Sequence, residues 1–225
     1  MSAERRNFWN DEGGAVLIEF TAVVLTFFVI LFGIIEFSYA YYQWNAATKA
    51  VQYGARLAAV SEPAVPDFRK FTGLSSTVLP GDPLPPLAFD YTCTSDLEDG
   101  CDANALRLIV FGRCDVGETC STVTINGSTV SVRTACNINS TPRNIGMCNL
   151  SSKVTGIDKV RVRYEHTGLG YAGRPVGPVP TITVSLRDVQ IDFILMGAFL
   201  PVNAIPMPSF ATTVTGEDLN TTWTS

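Results

Sequence analysis

The chain has 225 residues, with 16 Lys and Arg against 21 Asp and Glu, which gives a formal net charge of −5. That length suits one apolar anchor and one domain of ordinary size. A mildly acidic chain without a basic block excludes the Lys- and Arg-rich footprint of a nucleic-acid-binding protein, so no nucleic-acid partner is expected.

The first predicted element is an apolar segment near the N-terminus. Ala15–Ile35 contains one charged residue, Glu19. As a helix rising about 1.5 Å per residue it would reach about 31 Å, which is enough for a hydrocarbon core. The first proline is Pro63, so one helix can continue from about Gly14 to Val60. A carboxylate in the middle of such a span costs about 2.5–3.5 kcal/mol, so Glu19 requires a partner or a function.

Two interpretations of this segment are open. A cleaved secretory signal peptide would use Ser38-Tyr39-Ala40 as its small-x-small site. Its apolar region, however, would exceed the usual length of about 7–15 residues, and the segment before it is not clearly basic. We therefore favour a retained membrane anchor. The cysteines farther along favour a C-terminal part outside the cytoplasm, since disulfides persist in oxidising compartments.

Beyond the apolar span, small side chains recur every four residues along the same predicted helix. They form one narrow stripe, which a second backbone or a sheet can approach closely. We expect this stripe to pack chiefly against the protein's own sheet, with neighbouring copies or partner helices as the alternative. The stripe consists of Ala46, Ala50, Gly54 and Ala58.

The rest of the chain, residues 61–225, is predicted to form an α+β domain. A proline-rich loop at 61–86 leaves the long helix. The alternation of apolar residues in PLAFDYTC then predicts a strand. In DANALRLIVFG, Asp102 can cap a short helix and Gly112 can end it.

The clearest local signal in this domain is a β-hairpin. Asn126-Gly127 suits a two-residue turn, which places Val123 opposite Val130. We therefore expect a long N-terminal helix laid on an antiparallel sheet, with loops held by disulfides. Further strands are predicted at Val160–Tyr164, Thr181–Leu186 and Val189–Ile194.

The six cysteines all lie in the domain, and their even number predicts disulfides in an oxidising compartment. Pairing of sequence neighbours is the simplest arrangement, although six cysteines allow fifteen connectivities. A zinc site is disfavoured, because the chain has no C-x-x-C pair and one histidine, so no metal or other cofactor is expected. Neighbour pairing would join Cys93 to Cys101, Cys114 to Cys120 and Cys136 to Cys148.

The acidic segment DLEDGCD and His166 are further candidates for a metal site and a catalytic site, and neither matches a known motif. The acidic segment DLEDGCD fails the EF-hand spacing, since the residue eleven positions after Asp96 is Arg107 rather than Glu. We interpret this segment as a solvated loop. His166 follows Glu165 in a predicted loop without a nucleophile motif, which indicates a surface side chain. No small-molecule substrate is inferred.

The N-terminal residues resemble a known processing site. Gly14 followed by AVLIEF resembles the G|xxxxE[FY] site of type IV prepilins and pseudopilins. Together with FGIIEF and ATKAVQYGARLAAV, the segment 13–60 is similar to TadE-like pseudopilins of the tight-adherence (Tad/Flp) pilus system. Leu25 departs from this family, whose members often carry proline at that position, so no kink is expected there.

The resemblance implies a chain in three parts: a cytoplasmic leader at 1–14, a transmembrane and amphipathic helix at 15–60, and a periplasmic or extracellular domain at 61–225. The protein would cross a bacterial inner membrane once, with its N-terminus in the cytoplasm. It would be a non-catalytic minor pseudopilin needed for the initiation or the tip of tight-adherence pili. Its implied partners are a prepilin peptidase, other Tad pseudopilins and the major pilin, and the membrane.

The resemblance also implies a function for the acid in the apolar span. A prepilin peptidase would cut after Gly14 and leave a free amine on Ala15, one helical turn before Glu19. The carboxylate could pair with this amine or with that of a neighbouring subunit, and would then penalise wrong axial alignment of subunits. The alternative is a carboxylate that only reaches back to the interface. The implied site consists of Gly13, Gly14, Ala15, Glu19 and Phe20.

The rival functions belong to other classes of protein. The signal-peptide interpretation implies a secreted or membrane-tethered binding domain, and an exported enzyme is disfavoured by the missing catalytic motif. The first residue of the mature chain separates the candidates. It would be Ala15 in a pseudopilin, Tyr41 after signal peptidase and Met1 for a plain anchor.

Overall fold

The chain divides into two compact units. One unit comprises Met1–Tyr42 and Asp192–Ala204, and the other comprises Gln43–Ile191 and Ile205–Ser225. The computed structural model describes residues 12–96, 100–114, 118, 120–136, 144–174, 177–195, 204–208, 210–216 and 219.

The described part of the chain contains four α-helices and eight strands. The helices are α1 (Glu12–Ala59), α2 (Pro66–Lys70), α3 (Ala103–Phe111) and α4 (Met147–Leu150). The strands are β1 (Asp90–Cys93), β2 (Cys120–Ile125), β3 (Ser128–Arg133), β4 (Val160–Glu165), β5 (Thr181–Leu186), β6 (Gln190–Asp192), β7 (Ala204–Pro206) and β8 (Ala211–Thr215).

The long helix α1 confirms the helix predicted from Gly14 to Val60. It continues for 48 residues, because the sequence holds no proline before Pro63. Its two parts differ in composition. The first part is apolar on every side, as a helix in hydrocarbon is, whereas the part from Gln43 onward is amphipathic and buries one face. The buried apolar residues of this second part are Ala47, Ala50, Val51, Ala55 and Ala58.

A four-stranded antiparallel sheet with the order β1-β4-β5-β8 forms the other layer of the second unit. The two central strands alternate between buried apolar residues and more exposed polar ones, so one face of the sheet is covered and the other is open. The inward side chains are Val160, Val162 and Tyr164 on β4, and Ile182, Val184 and Leu186 on β5.

The end of α1 and the covered face of the sheet share one hydrophobic core. Trp44 meets Phe210, just before β8, with ring centroids 4.4 Å apart, and Phe68 of α2 stacks on Tyr164 at 5.5 Å. The Tyr164 hydroxyl accepts a hydrogen bond from the Ala64 amide at 3.0 Å, and burial raises the pKa of this phenol to about 12. The predicted α+β class, with a long helix and an antiparallel sheet, is confirmed.

The short helix and the hairpin form as their local sequences predict. The Asp102 side chain accepts hydrogen bonds from the first amides of α3, and Gly112 ends that helix with φ 79°. In the hairpin, Val123 lies opposite Val130. Asn126 and Gly127 both have positive φ, as a type I′ turn requires.

Other boundaries differ from the sequence predictions. Leu87 is 81% exposed with φ 56°, so the alternation that begins there does not belong to a strand, and β1 starts only at Asp90. The strand predicted at Val189–Ile194 ends at Asp192, because the following amides bond a side chain of α1 instead. Strands β7 and β8 were not predicted.

One glycine is required by close packing of helices. A Cβ added at Gly54 would collide with the side chain of Met147 in α4, whereas a Cβ at Gly33 would meet nothing within 4 Å. Both glycines lie inside α1, so they differ in packing rather than in backbone conformation.

We therefore expect Gly54→Leu to destabilise the domain by about 1–3 kcal/mol, the usual cost of overpacking. Thermal unfolding of the full chain in detergent measures the effect, with Gly33→Leu as the matched control. Equal melting temperatures for the two variants would contradict the packing role of Gly54.

An ion pair on the open face of the sheet gives a pH-dependent prediction. Arg163 donates two hydrogen bonds to the Asp90 carboxylate, at 2.7 and 2.6 Å, which hold the pKa of that carboxyl below its usual range. The folded state thus favours the charged form of Asp90. The stabilisation is present above the unfolded pKa of about 3.9 and is lost as the pH falls through the folded value.

Asp90→Asn should lower the free energy of unfolding at pH 7 by less than about 1 kcal/mol, since both groups are partly exposed. The difference from the wild type should disappear in strong acid. Urea unfolding across pH 2–7 measures it, and in an Arg163→Gln background Asp90→Asn should change little. A difference that persists at pH 2 would show that the ion pair is not its cause.

Candidate functional site in the N-terminal helix

The first part of α1 presents an apolar surface on all sides. Most large side chains between Val16 and Phe37 are exposed, including Phe20 at 69%. Among the described residues, α1 is the one helix long and apolar enough to cross a membrane, with a mean hydropathy of 2.6 in its most apolar window. Lipid or other helices are the surroundings that such a surface suits.

The hydroxyl groups inside this apolar stretch are satisfied within the helix. Thr21 donates to the Leu17 carbonyl at 2.7 Å, and Thr26 donates to the Ala22 carbonyl at 2.9 Å. Ser38 bonds the carbonyl four residues before it in the same way. A helix in hydrocarbon has no water to satisfy such groups, so these bonds suit a membrane position.

The predicted processing site forms the first turns of α1. Gly13, Gly14 and Ala15 follow directly after the helix start at Glu12. A Cβ at Gly14 would meet nothing within 4 Å, so the folded chain does not itself require glycine there.

Glu19 is exposed on this apolar surface. The structure gives its carboxylate no hydrogen bond or ion pair to any described residue. An acid in these surroundings carries the full cost of its desolvation unless another molecule supplies a partner. Glu19 is thus the one charged group of the predicted site, and no described residue of the same chain supplies a partner for its carboxylate.

A second acid of α1, Glu36, is in the opposite situation. It is only 4% exposed, and its carboxylate accepts hydrogen bonds from the amides of Ile194, at 3.1 Å, and Leu195. Its partners lie 158 and 159 residues away, and no local pattern could have indicated them.

The stripe of small residues lies against the protein's own domain. Ala50, Gly54 and Ala58 are buried and Ala46 is half-buried, and Gly54 provides the room for Met147. Because these positions are covered inside the chain, they do not offer a free surface to another subunit.

Three disulfides fasten loops of the domain. All six cysteines are paired, and each bridge joins neighbours in the sequence. Such bridges restrict the unfolded chain and persist in an oxidising compartment. The pairs are Cys93–Cys101, Cys114–Cys120 and Cys136–Cys148.

The single histidine is not a surface residue, and that expectation was wrong. His166 is 4% exposed, directly after β4, and its ring lies 5.5 Å from the ring of Phe89. Neither ring nitrogen has a hydrogen-bond partner among the described residues. The aromatic ring of Phe89 covers it, which the sequence could not show because Phe89 directly precedes β1 and His166 directly follows β4, far apart along the chain.

Two residues of the acidic segment form separate ion pairs with arginines. Asp96 pairs with Arg187 at 2.6 Å and Asp102 with Arg69 at 2.8 Å, while Glu98 and Asp99 lie outside the described residues. No cluster of His, Cys, Asp or Glu with the arrangement of a metal site occurs in the described ranges.

The described residues thus combine a long N-terminal helix that is apolar enough to cross a membrane with an antiparallel, disulfide-bonded α+β domain. Residues 14–56 match the family model described as TadE-like protein, which confirms the resemblance. The match lies within α1 and does not extend to the sheet. It implies membership of a pilus assembly system with other pilins.

No curated protein and no solved structure matches the chain.

Proposed function

We propose that this chain is a minor pseudopilin that is cut after Gly14 by a prepilin peptidase and acts, without catalysis, in the assembly of a tight-adherence pilus. The TadE-like match supports the system to which it belongs. The observation that carries the proposal is Glu19, a carboxylate without a described partner on an exposed apolar helix. A subunit that packs against other membrane helices can supply what this acid lacks.

The position of the cut suits a peptidase substrate. The Gly14–Ala15 bond lies in the first turns of α1, and a peptidase needs this bond in an extended backbone. Each glycine costs a helix about 1 kcal/mol relative to alanine. The Gly13-Gly14 pair therefore makes this end of α1 easy to unwind, without any effect on the apolar helix that follows.

Cleavage would create the positively charged partner that Glu19 lacks. The new amine on Ala15 lies four residues before Glu19, on the same face of the helix. An acid is also favoured near a helix N-terminus by the helix dipole. In a packed group of subunits, the amine of one chain can pair with Glu19 of the next, and an axial offset would break this pair at a cost of several kcal/mol.

The proposed orientation places the N-terminus in the cytoplasm and the domain in the periplasm or outside the cell. The three disulfides support it, because such bridges are rare in the reducing cytoplasm. The apolar surface of α1 supports a position across the inner membrane.

The rival function, an exported binding domain with an ordinary signal sequence, is less well supported. Its cleavage site would lie at Ser38-Tyr39-Ala40, in the middle of the continuous helix α1. A cut there would remove Glu36, whose carboxylate accepts hydrogen bonds from two backbone amides near β6. Those amides would lose partners that the uncut helix provides.

The first prediction for this function concerns the cut. Mass spectrometry of the protein from its native membrane should give a mature chain that begins with Ala15. Gly14→Ile should retain the full mass, because the bulky side chain prevents the close approach of the backbone to the peptidase that glycine allows, while Gly33→Ile should be processed normally. A wild-type chain that begins at Met1 or at Tyr41 would refute the proposal.

The second prediction concerns the register of Glu19. Glu19→Ala should leave cleavage intact but reduce co-purification with the other pseudopilins and the major pilin by about tenfold or more, equivalent to about 1.4 kcal/mol. Thr26→Val is the matched control, because the Thr26 hydroxyl is already bonded within α1. Normal pili and normal co-purification in Glu19→Ala would exclude the proposed role of Glu19.

A further inference from the structure

We propose that Phe193–Leu195 forms a second contact with the membrane, held by Glu36 at the outer edge of the hydrocarbon. The partner surface is the acyl region of the lipid leaflet next to the domain. This proposal rests on the membrane-spanning position of α1 proposed above.

The depth of Glu36 along α1 is the first argument. Ala15 and Glu36 are 21 residues apart, a distance of about 31 Å along a helix. A hydrocarbon core is about 30 Å thick. When Ala15 lies at the inner boundary, Glu36 and the backbone bonded to it lie at the outer one.

The hydrogen bonds at Glu36 are the second argument. A backbone segment can enter a water-poor boundary only when its amides have partners. The amides of Ile194 and Leu195 have such a partner in the Glu36 carboxylate. The chain leaves the β6–β7 ladder at this point, and the carboxylate replaces the bonds that a strand would have made.

The side chains of the segment are the third argument. Ile194 is 59% exposed, although a segment in water would favour a polar residue there. Phe193 and Leu195 line an apolar cavity of about 960 Å³ together with residues of α1 such as Phe28 and Phe32. In a bilayer, acyl chains fill this space and cover Ile194.

The sequence that follows Leu195 is also apolar. From Phe193 to Val202 the chain reads FILMGAFLPV, without a charged or hydrogen-bonding side chain, and it is bracketed by Asp192 and Asn203. Asp192 is exposed. A ten-residue run of this composition is apolar enough to enter a lipid leaflet but too short to span the membrane, which takes about 20 residues as a helix.

The test is photo-crosslinking of the full chain in vesicles of phosphatidylethanolamine and phosphatidylglycerol with alkyne-tagged acyl chains. The photoreactive residue p-benzoylphenylalanine replaces Ile194, or Val29 in the apolar part of α1, or Leu87. Val29 and Leu87 are also exposed apolar residues, and Leu87 belongs to the second unit. Lipid adducts are expected at Val29 and Ile194, at least about fivefold above Leu87.

The outcomes separate the two proposals. A lipid adduct at Val29 with none above the Leu87 level at Ile194, or an adduct of Ile194 to a protein, would overturn the membrane contact and leave α1 in the membrane. Absence of lipid adducts at Val29 as well would overturn both the contact and the membrane anchor of the proposed function.

Two glutamate variants test the role of Glu36. Glu36→Ala should reduce the lipid adduct at Ile194 at least about threefold, because the two amides lose their charged acceptor, and should leave the adduct at Val29 unchanged. Glu62→Ala, the same change at a glutamate of the second unit, should alter neither adduct. An unchanged Ile194 adduct in Glu36→Ala would show that this carboxylate does not hold the segment.

Discussion

A carboxylate on an apolar helix needs a partner when hydrocarbon surrounds that helix, and the apolar part of α1 carries two acids, Glu19 and Glu36. The cost of a lone acid in the middle of a helix, about 2.5–3.5 kcal/mol, exceeds what one ordinary hydrogen bond returns. Glu36 meets this constraint within the chain, through the amides of Ile194 and Leu195. Glu19 has no described partner and remains exposed. One acid thus bonds a segment of its own chain, and under the proposed function the other bonds a neighbouring subunit.

The same helix serves two environments because its composition changes along its length. Large apolar side chains on every side, as at Val16 and Phe37, suit lipid. From Gln43 onward small residues take over on one face, and a second helix and the sheet pack closely there. Gly54 shows the difference, since the space above it is filled by Met147 while the space above Gly33 is open. Close packing therefore requires a small residue at Gly54, where the chain's own domain covers α1, and not at Gly33, where the helix surface is open.

Several elements of this structure could be predicted because their local sequence determines them. The cap at Asp102, the turn at Asn126-Gly127 and the alternation of β5 each determine their element within a few residues. Contacts between distant residues were not predictable: the bonds of Glu36 and the burial of His166 under Phe89 depend on how strands and helix come together. In the candidate site, the sequence indicated Glu19 through its position in an apolar run, but it gave no sign that Glu36 had partners. The elements that could be predicted depend on residues close together in the sequence, whereas the contacts that could not be predicted join residues far apart in it.

Under the proposed function, the contrast between the two acids also orders the steps of maturation. The bonds of Glu36 need no cleavage, so the chain can form them as soon as the domain folds beside the membrane. The amine that would pair with Glu19 does not exist until the Gly14–Ala15 bond is cut. An uncut chain would therefore bring an uncompensated charge into any packed group of helices, which disfavours its premature association. Cleavage therefore supplies the positive charge that lets Glu19 enter a packed group of helices. Until then, a folded but uncut subunit remains in the membrane and does not associate with the growing pilus.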